Sequence, residues 1–349
     1  MLTRNGFMLL PFTVSDTVRP SEIRSLISSI IIALSFTIVF MSAKIRRKIP
    51  IFEKYMENSY KFNVAGHLFK AVFPDGVAAE EYLQPYLPFI CEEGDDLLFT
   101  LTVEYTDDLK ALQPGEFKEC LNAEAPYFWM FDKEGRFNFA FAYSKTRPDC
   151  LVFPTEYYGS CVVYVPASRA DRLTEFALSN AMMLMYTFRT SPYDTLMTHS
   201  SVIMHNGGGY MFLGRSGTGK STHSRLWLNN IDDTVLLNDD NPVIRVVDGV
   251  PYVYGTPWSG KTPCYKNEVV PLKAVVRLSQ APYNKIVRHS PLQAYASLMP
   301  SCSCMRWDRT STSALHSTVE DVISKVRCWH LECLPDADAA RVCHEAVTK

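Results

Sequence analysis

The segment from Gly214 to Ser221, GRSGTGKS, constrains this chain more than any other stretch of it. A glycine, four intervening residues, then Gly219, Lys220 and Ser221 make a pattern that functions only between a strand and a helix. Its glycines let backbone N–H groups close around phosphate oxygens, and the start of the following helix adds partial positive charge at the same point. The flanks supply that context: the apolar run YMFLG comes before, and STHSRLWL, which reads as a helix to about Leu228, comes after. The expected ligand is ATP or another nucleoside triphosphate with Mg²⁺. Gly214, Arg215, Ser216, Gly217, Thr218, Gly219, Lys220, Ser221 and Thr222 would cradle it. Lys220 would reach the β- and γ-phosphates, and the Ser221 hydroxyl would enter the Mg²⁺ shell.

Downstream, the apolar run TVLLN ends in Asp239 and Asp240, where a second Mg²⁺-organising acid belongs. Neighbouring strand residues face opposite sides, so the two acids divide the work unless the strand has ended. Asp240 is assigned to the metal and Asp239 to proton abstraction from an incoming hydroxyl. The competing explanation is a turn or cap, since every residue of NDDNP favours turns. Lys261 lies in the loop GTPWSGKTPCYKN between Gly260 and Thr262. There it either stabilises a transferring phosphoryl group or is a solvated surface lysine. His223 and Arg225 read as surface residues of the helix.

The rest of the chain is long enough for two ordinary domains. Residues 58–194 are β-rich: KFNVAGHLFKAVF, LLFTLTVEY, YFWMF, FNFAFAY, CLVFP and CVVYVP are aromatic and β-branched runs broken by turn residues. YFWMF and FNFAFAY read as a hairpin joined by the glycine-containing loop Asp132–Arg136. A helix begins at the N-cap candidate Ser168, carries Leu173, Phe176, Ala177, Asn180, Ala181, Leu184, Met185 and Phe188 along one face, and ends near Pro192. Residues 195–349 form the phosphate-loop domain. It opens with the hairpin SVIMHN and YMFLG around Gly207-Gly208-Gly209, and a second hairpin turns at Asp248-Gly249. The strand KAVVRL and two helices, near Thr318 to Cys328 and Ala337 to Ala346, complete it. The expected fold class is therefore α+β or α/β, with a β-rich domain followed by a phosphate-loop domain on a mixed sheet.

With 35 basic and 37 acidic side chains the chain has no field of one sign, which argues against nucleic acid as a partner. The ten cysteines are scattered, which favours reduced thiols in the cytoplasm over a disulfide framework. Cys302 with Cys304, and Cys328, His330 and Cys333, are metal-ligand types, but paired Cys-x-x-Cys units are missing and the spacing argues against zinc. Within residues 1–48 the run Leu26 to Ala43 is uncharged and is followed by Lys44, Arg46, Arg47 and Lys48. It is long enough for a membrane anchor with the domains on the cytoplasmic side. Its five hydroxyl residues and the internal Met41 favour a start at Met41, or a non-functional tail, over an anchor. Oligomeric state stays open.

One resemblance draws these observations together. His199 in THSSVIMH, the loop in GRSGTGKSTHSRLWL and the acids in LLNDD resemble the HPr kinase and phosphoenolpyruvate carboxykinase-like family over about residues 195–290. The resemblance implies a mixed, largely antiparallel sheet feeding the loop. It also implies an active-site role for His199, paired acids at Asp239 and Asp240, and a metal-binding hydroxyl at Ser221. Thr222 and His223 stand where that kinase family has an acid after the loop serine, and GTPWSGKT occupies the region of its own substrate signature. The phosphate acceptor therefore does not carry over. The expected function is an ATP- and Mg²⁺-dependent kinase acting on a hydroxyl of a protein, peptide or small molecule. The alternatives are a nucleotide-binding accessory module with little catalysis and, third, a carboxykinase-type lyase.

Overall fold

Runs of alternating apolar residues cut by two-residue turns dictate most of the architecture. In the computed structural model, which describes residues 58–122, 124–260 and 262–349, the chain is mixed α/β with two mixed sheets. The segment 1–48, including the apolar run 26–43, and Lys261 lie outside the described residues. Among the described residues no helix is long and apolar enough to cross a membrane.

The first sheet has eight strands: β1 (Ser59–Val64), β2 (His67–Val72), β3 (Leu97–Tyr105), β4 (Glu116–Cys120), β5 (Tyr127–Lys133), β6 (Arg136–Ala142), β7 (Cys150–Pro154) and β8 (Ser160–Val165). Their order is β1-β2-β3-β8-β7-β6-β5-β4, with β3 parallel to both its neighbours and all other pairs antiparallel. KFNVAGHLFKAVF, which reads as a single run, is folded in half at Ala65-Gly66. Both residues there have positive φ, 52° and 79°, as do Glu134 and Gly135 at 57° and 81°. That geometry matches the right-handed twist of the flanking strands, and glycine at the second position adopts it without steric cost.

The second sheet contains β9 (Thr195–Met197), β10 (Ser200–His205), β11 (Gly208–Leu213), β12 (Thr234–Asp240), β13 (Val243–Val247), β14 (Val250–Tyr254), β15 (Val269–Gln280), β16 (Lys285–Arg288) and β17 (Arg327–Cys333). The main path is β12-β10-β11-β15-β14-β13-β9, and β17 lies parallel to β15 with β16 on its far side. Only Asn206-Gly207 forms the turn between β10 and β11, not all three glycines. Gly208 and Gly209 belong to β11, where a Cβ on Gly209 would fall 2.4 Å from Val253 Cγ1.

Among the described residues five α-helices cover the sheets: α1 (Ala170–Thr190), α2 (Lys220–Asn230), α3 (Pro291–Leu298), α4 (Arg309–Lys325) and α5 (Ala337–Val347). Ser168 does not cap α1. Its N–H and hydroxyl donate instead to Asp107 Oδ1 at 2.9 and 2.7 Å, which ties the approach to the helix to the end of β3. The helix expected from Thr318 to Cys328 starts earlier, capped by Asp308, and stops at Lys325. Cys328 falls in β17 instead, because that strand's central position beside β15 outweighs the helical pattern. The short helix α3 was missed, although Ser290 and Gln293 form a full capping box readable in SPLQ.

The sheets part at Thr195, yet one apolar cluster runs from Phe69, Phe99 and α1 residues such as Ala181 and Met185 to Met197, Val243 and Trp258. Residues Glu57–Lys349 accordingly form one unit of contacts. Trp258, whose ring centroid lies 5.1 Å from that of Tyr186 and 6.5 Å from that of Phe69, anchors the loop that continues to Gly260.

Buried histidines give this unit a pH dependence. His67, bonded through Nε2 to Thr195 Oγ1 at 2.8 Å, is pushed down to about 3 by burial and by Arg245; His223 is pushed down to about 4 by burial. Both stay neutral in the fold while the unfolded chain takes up protons near pH 6.5, so their contribution is complete above that pH. It falls as pH drops toward 4, by about 1.4 kcal/mol per pH unit for each group. Urea unfolding at pH 7 and pH 5 is expected to show lower stability at pH 5. His67→Gln should show a smaller loss over that interval, and an unchanged difference would exclude His67 as a source.

Candidate functional site

The glycine-rich segment turns the chain from the end of β11 into the start of α2. Gly217 and Gly219 have φ of +78° and +109°, the left-handed region that costs other residues about 1–2 kcal/mol. Thr218 N–H donates to Arg215 O at 3.1 Å and closes the turn. Gly219 is the N-cap of α2 and no side chain caps the first turn, so its N–H groups keep their capacity to meet an external acceptor. One contact ties the helix to the sheet and another orders its buried face. Ser224 Oγ lies 2.6 Å from Ser201 Oγ on β10, and Trp227, fully buried, donates from Nε1 to His223 Nε2 at 3.1 Å. His223 is therefore not a surface residue but part of the buried face of α2, because Trp227 one turn later shields it. Arg225 is exposed, as expected, and stands at the cavity rim.

The acid pair is held by a residue that the sequence reading passed over. Asn238, fully buried, donates from Nδ2 to Thr256 Oγ1 at 3.1 Å and Trp258 O at 3.2 Å. Its Oδ1 accepts from the N–H groups of Asp240 and Asn241, both at 3.0 Å. This bends the chain just as β12 ends, and both Asp239 and Asp240 line one cavity despite being neighbours. Gly260 seals the arrangement: its N–H donates to Asp239 O at 3.1 Å, and a Cβ there would lie 2.8 Å from that oxygen. The turn-forming composition of NDDNP signalled a bend, but nothing local pointed to the partners of Asn238, which lie in the loop after β14.

His199, between β9 and β10, joins the acids to the glycine-rich segment. Its Nδ1 lies 2.9 Å from Asp240 Oδ1 and its Nε2 lies 3.1 Å from Lys220 Nζ. An ammonium has no acceptor capacity, so Lys220 donates to Nε2 and the imidazole proton sits on Nδ1, facing the carboxylate. Lys220 also donates to Gly214 O at 3.0 Å. Burial holds its ammonium below the ordinary lysine range, with Asp240 and Asp239 opposing that shift. Asn241 Nδ2 takes the other Asp240 oxygen at 2.9 Å.

A cavity of about 480 Å³ is lined by His199, Ser216, Lys220, Ser221, Asp239 and Asp240, together with Gly217, Gly219 and Thr222. Gly214, Arg215 and Thr218 of the expected cradle do not line it: the Gly214 carbonyl accepts from Lys220, and Arg215 and Thr218 are bonded to each other across the turn. Gly260 and Thr262 line the same cavity, and Lys261 between them lies outside the described residues. A second cavity of about 590 Å³ shares Gly217, Gly219 and Thr222 with the first and continues between α2 and the end of β17. It was not foreseen, because its apolar walls, Leu226, Leu278 and Leu334, come from three distant segments. Cys302 and Cys328 are buried with Sγ facing Leu298 O and Val326 O, Cys304 and Cys333 are half-buried, and His330 is bonded to Ser279 Oγ at 2.8 Å. Among the described residues no three His, Cys, Asp or Glu side chains converge as a metal-binding group.

Comparison of the chain with protein-family models and with curated proteins returns no match. The functional reading thus rests on the geometry of the two cavities.

Proposed function

We propose that this chain is a Mg²⁺-dependent phosphotransferase that moves the γ-phosphoryl group of ATP, or a related nucleoside triphosphate, to a hydroxyl. The observation that carries this reading is the convergence of the Lys220 turn and the His199–Asp240 pair in one cavity. A hairpin leading into the glycine-rich turn, with His199 at its entry, also supports a core of the HPr kinase and carboxykinase-like type for the second sheet. The triphosphate fits along the Gly214–Ser221 backbone. The nucleoside belongs in the adjoining cavity, where Leu226, Leu278 and Leu334 offer apolar walls and the buried His223 Nδ1–H has no partner. Ser221 and one acid would hold Mg²⁺, with phosphate oxygens completing its shell, and the ion would neutralise charge on the transferring group.

The two acids differ in ways that suggest their roles. Asp240 is engaged on both oxygens, by His199 Nδ1 and Asn241 Nδ2, and so acts as an orienter. We therefore reverse the assignment expected from sequence: Asp239 stands on the metal side, and the Asp240–His199 pair accepts the proton. Before nucleotide binds, Lys220 occupies the His199 Nε2 lone pair. Phosphate oxygens draw the ammonium away and free that lone pair. The acceptor oxygen then forms its bond to the γ-phosphorus as the bond to the β,γ-bridging oxygen breaks. The hydroxyl proton goes to His199 Nε2, and the nucleoside diphosphate leaves.

Incubation with γ-labelled ATP and a panel of hydroxyl-bearing proteins, peptides and small molecules tests this. Label is expected to move to at least one acceptor class, dependent on Mg²⁺. Tight MgATP binding with no transfer to any acceptor would replace the enzyme with a nucleotide-gated accessory module.

A further inference from the structure

The first sheet carries a feature that the nucleotide site does not use. In β5 both faces are apolar: Phe128 and Met130 belong to the core shared with α1, while Tyr127, Trp129 and Phe131 alternate with them on the opposite face. A sheet with one face on its core ordinarily turns polar residues to the other. Here the outer face instead lines the largest of the described cavities, about 1120 Å³, where Phe117 of β4 joins Trp129 and Phe131 edge to face. Phe117 is 59% exposed, and all five residues of β4 are exposed. Among the described residues β4 ends the sheet and pairs with β5 alone, so its outer edge offers backbone groups to another strand.

We propose that this groove binds an extended peptide segment that is apolar in its centre and acidic at its ends, laid beside β4. Charge selects this occupant. Lys110 and Lys145 stand at the groove and no acid lines it; the two acids of β4, Glu116 and Glu119, are paired with Asp132 and Met130, whereas the groove-lining Phe117 and Cys120 are paired with Phe131 and Trp129, and among the described residues neither lysine has a carboxylate within ion-pair range. Lys145 Nζ rests 5.3 Å from the Tyr127 ring centroid, a contact that a carboxylate can supplement without displacing it. A second copy of the chain on the same face would bring two pairs of lysines together. The chain's own basic stretch from Lys44 to Lys48 would be repelled in the same way. The aromatic ladder supplies anchoring pockets, and the open strand supplies main-chain hydrogen bonds. The groove is independent of the nucleotide site, so failure of either reading leaves the other standing.

Fluorescence anisotropy with two labelled peptides tests the proposal on the full chain. In both, leucine alternates with threonine; one has paired aspartates at each end, the other paired lysines. The acidic probe is expected to bind saturably and at least about tenfold more tightly than the basic one, with the preference shrinking at high salt. Lys110→Glu combined with Lys145→Glu should weaken the acidic probe about tenfold or more; both lysines are exposed, so folding is preserved. Trp129→Ala should weaken it similarly. Equal binding of both probes, no binding of either, or indifference to the charge reversal would overturn the proposal. So would a dimer in sedimentation that Trp129→Ala dissociates, since a second copy would then cover the face.

Discussion

Asp240→Asn is expected to slow phosphoryl transfer by about 10²–10⁴-fold while leaving the affinity for MgATP within a few-fold of wild type. The asparagine keeps size and one acceptor oxygen, but it removes the charge that, in the proposed reaction, stabilises the imidazolium formed as His199 takes the acceptor's proton. It also allows the amide to present N–H to His199 Nδ1, which favours the tautomer with the proton on Nε2 and removes the lone pair that abstraction needs. His199→Gln should cost a similar factor. The double variant should cost little more than either alone, because groups acting as a unit are not additive. Single-turnover rates with separately measured affinities decide this. If Asp240→Asn instead loses Mg²⁺-dependent affinity and Asp239→Asn loses rate, the roles revert to those expected from the sequence.

Lys220→Ala is expected to weaken MgATP binding by about 100-fold or more. Hydrogen bonds to charged groups contribute about 1.5–3 kcal/mol each, and the ammonium offers more than one to phosphate oxygens. The half-buried ammonium carries its own desolvation cost, seen in its lowered proton affinity, which phosphate charge would offset. Thermal stability should change little, since the partners given up are one carbonyl and one imidazole nitrogen beside an open cavity. A large loss of stability would instead assign Lys220 to holding the fold together.

Much of this arrangement was legible in the residues. The glycine spacing, the glycine-containing loop Asp132–Arg136 that holds the turn between β5 and β6, the turn at Asp248-Gly249, and the strand ending in Asp239 and Asp240 are local signals, because a positive φ or a tight turn demands particular residues at particular offsets. What stayed hidden depends on distant partners. Asn238 orders the acids through Thr256 and Trp258, and Trp258 is held by Phe69 and Tyr186 of the other sheet region. His223 looked exposed by position, and its burial follows from Trp227 packing beneath Phe212 and Tyr210. Ser168 looked like a cap, but the acceptor that claimed it, Asp107, lies at the end of a strand sixty-one residues earlier. The second sheet begins at Thr195, but the apolar core that joins both sheets across that point left no local signal.

The most direct measurement is a calorimetric titration of the wild-type chain with MgATP, with ATP in the presence of a chelator, and with AMP. A phosphate-binding turn completed by Mg²⁺ predicts saturable binding of MgATP, weaker binding without the metal, and weaker binding still for AMP, which lacks the β- and γ-phosphates that Lys220 would meet. No heat with MgATP, or AMP binding as tightly as MgATP, would contradict a triphosphate site at Gly214–Ser221.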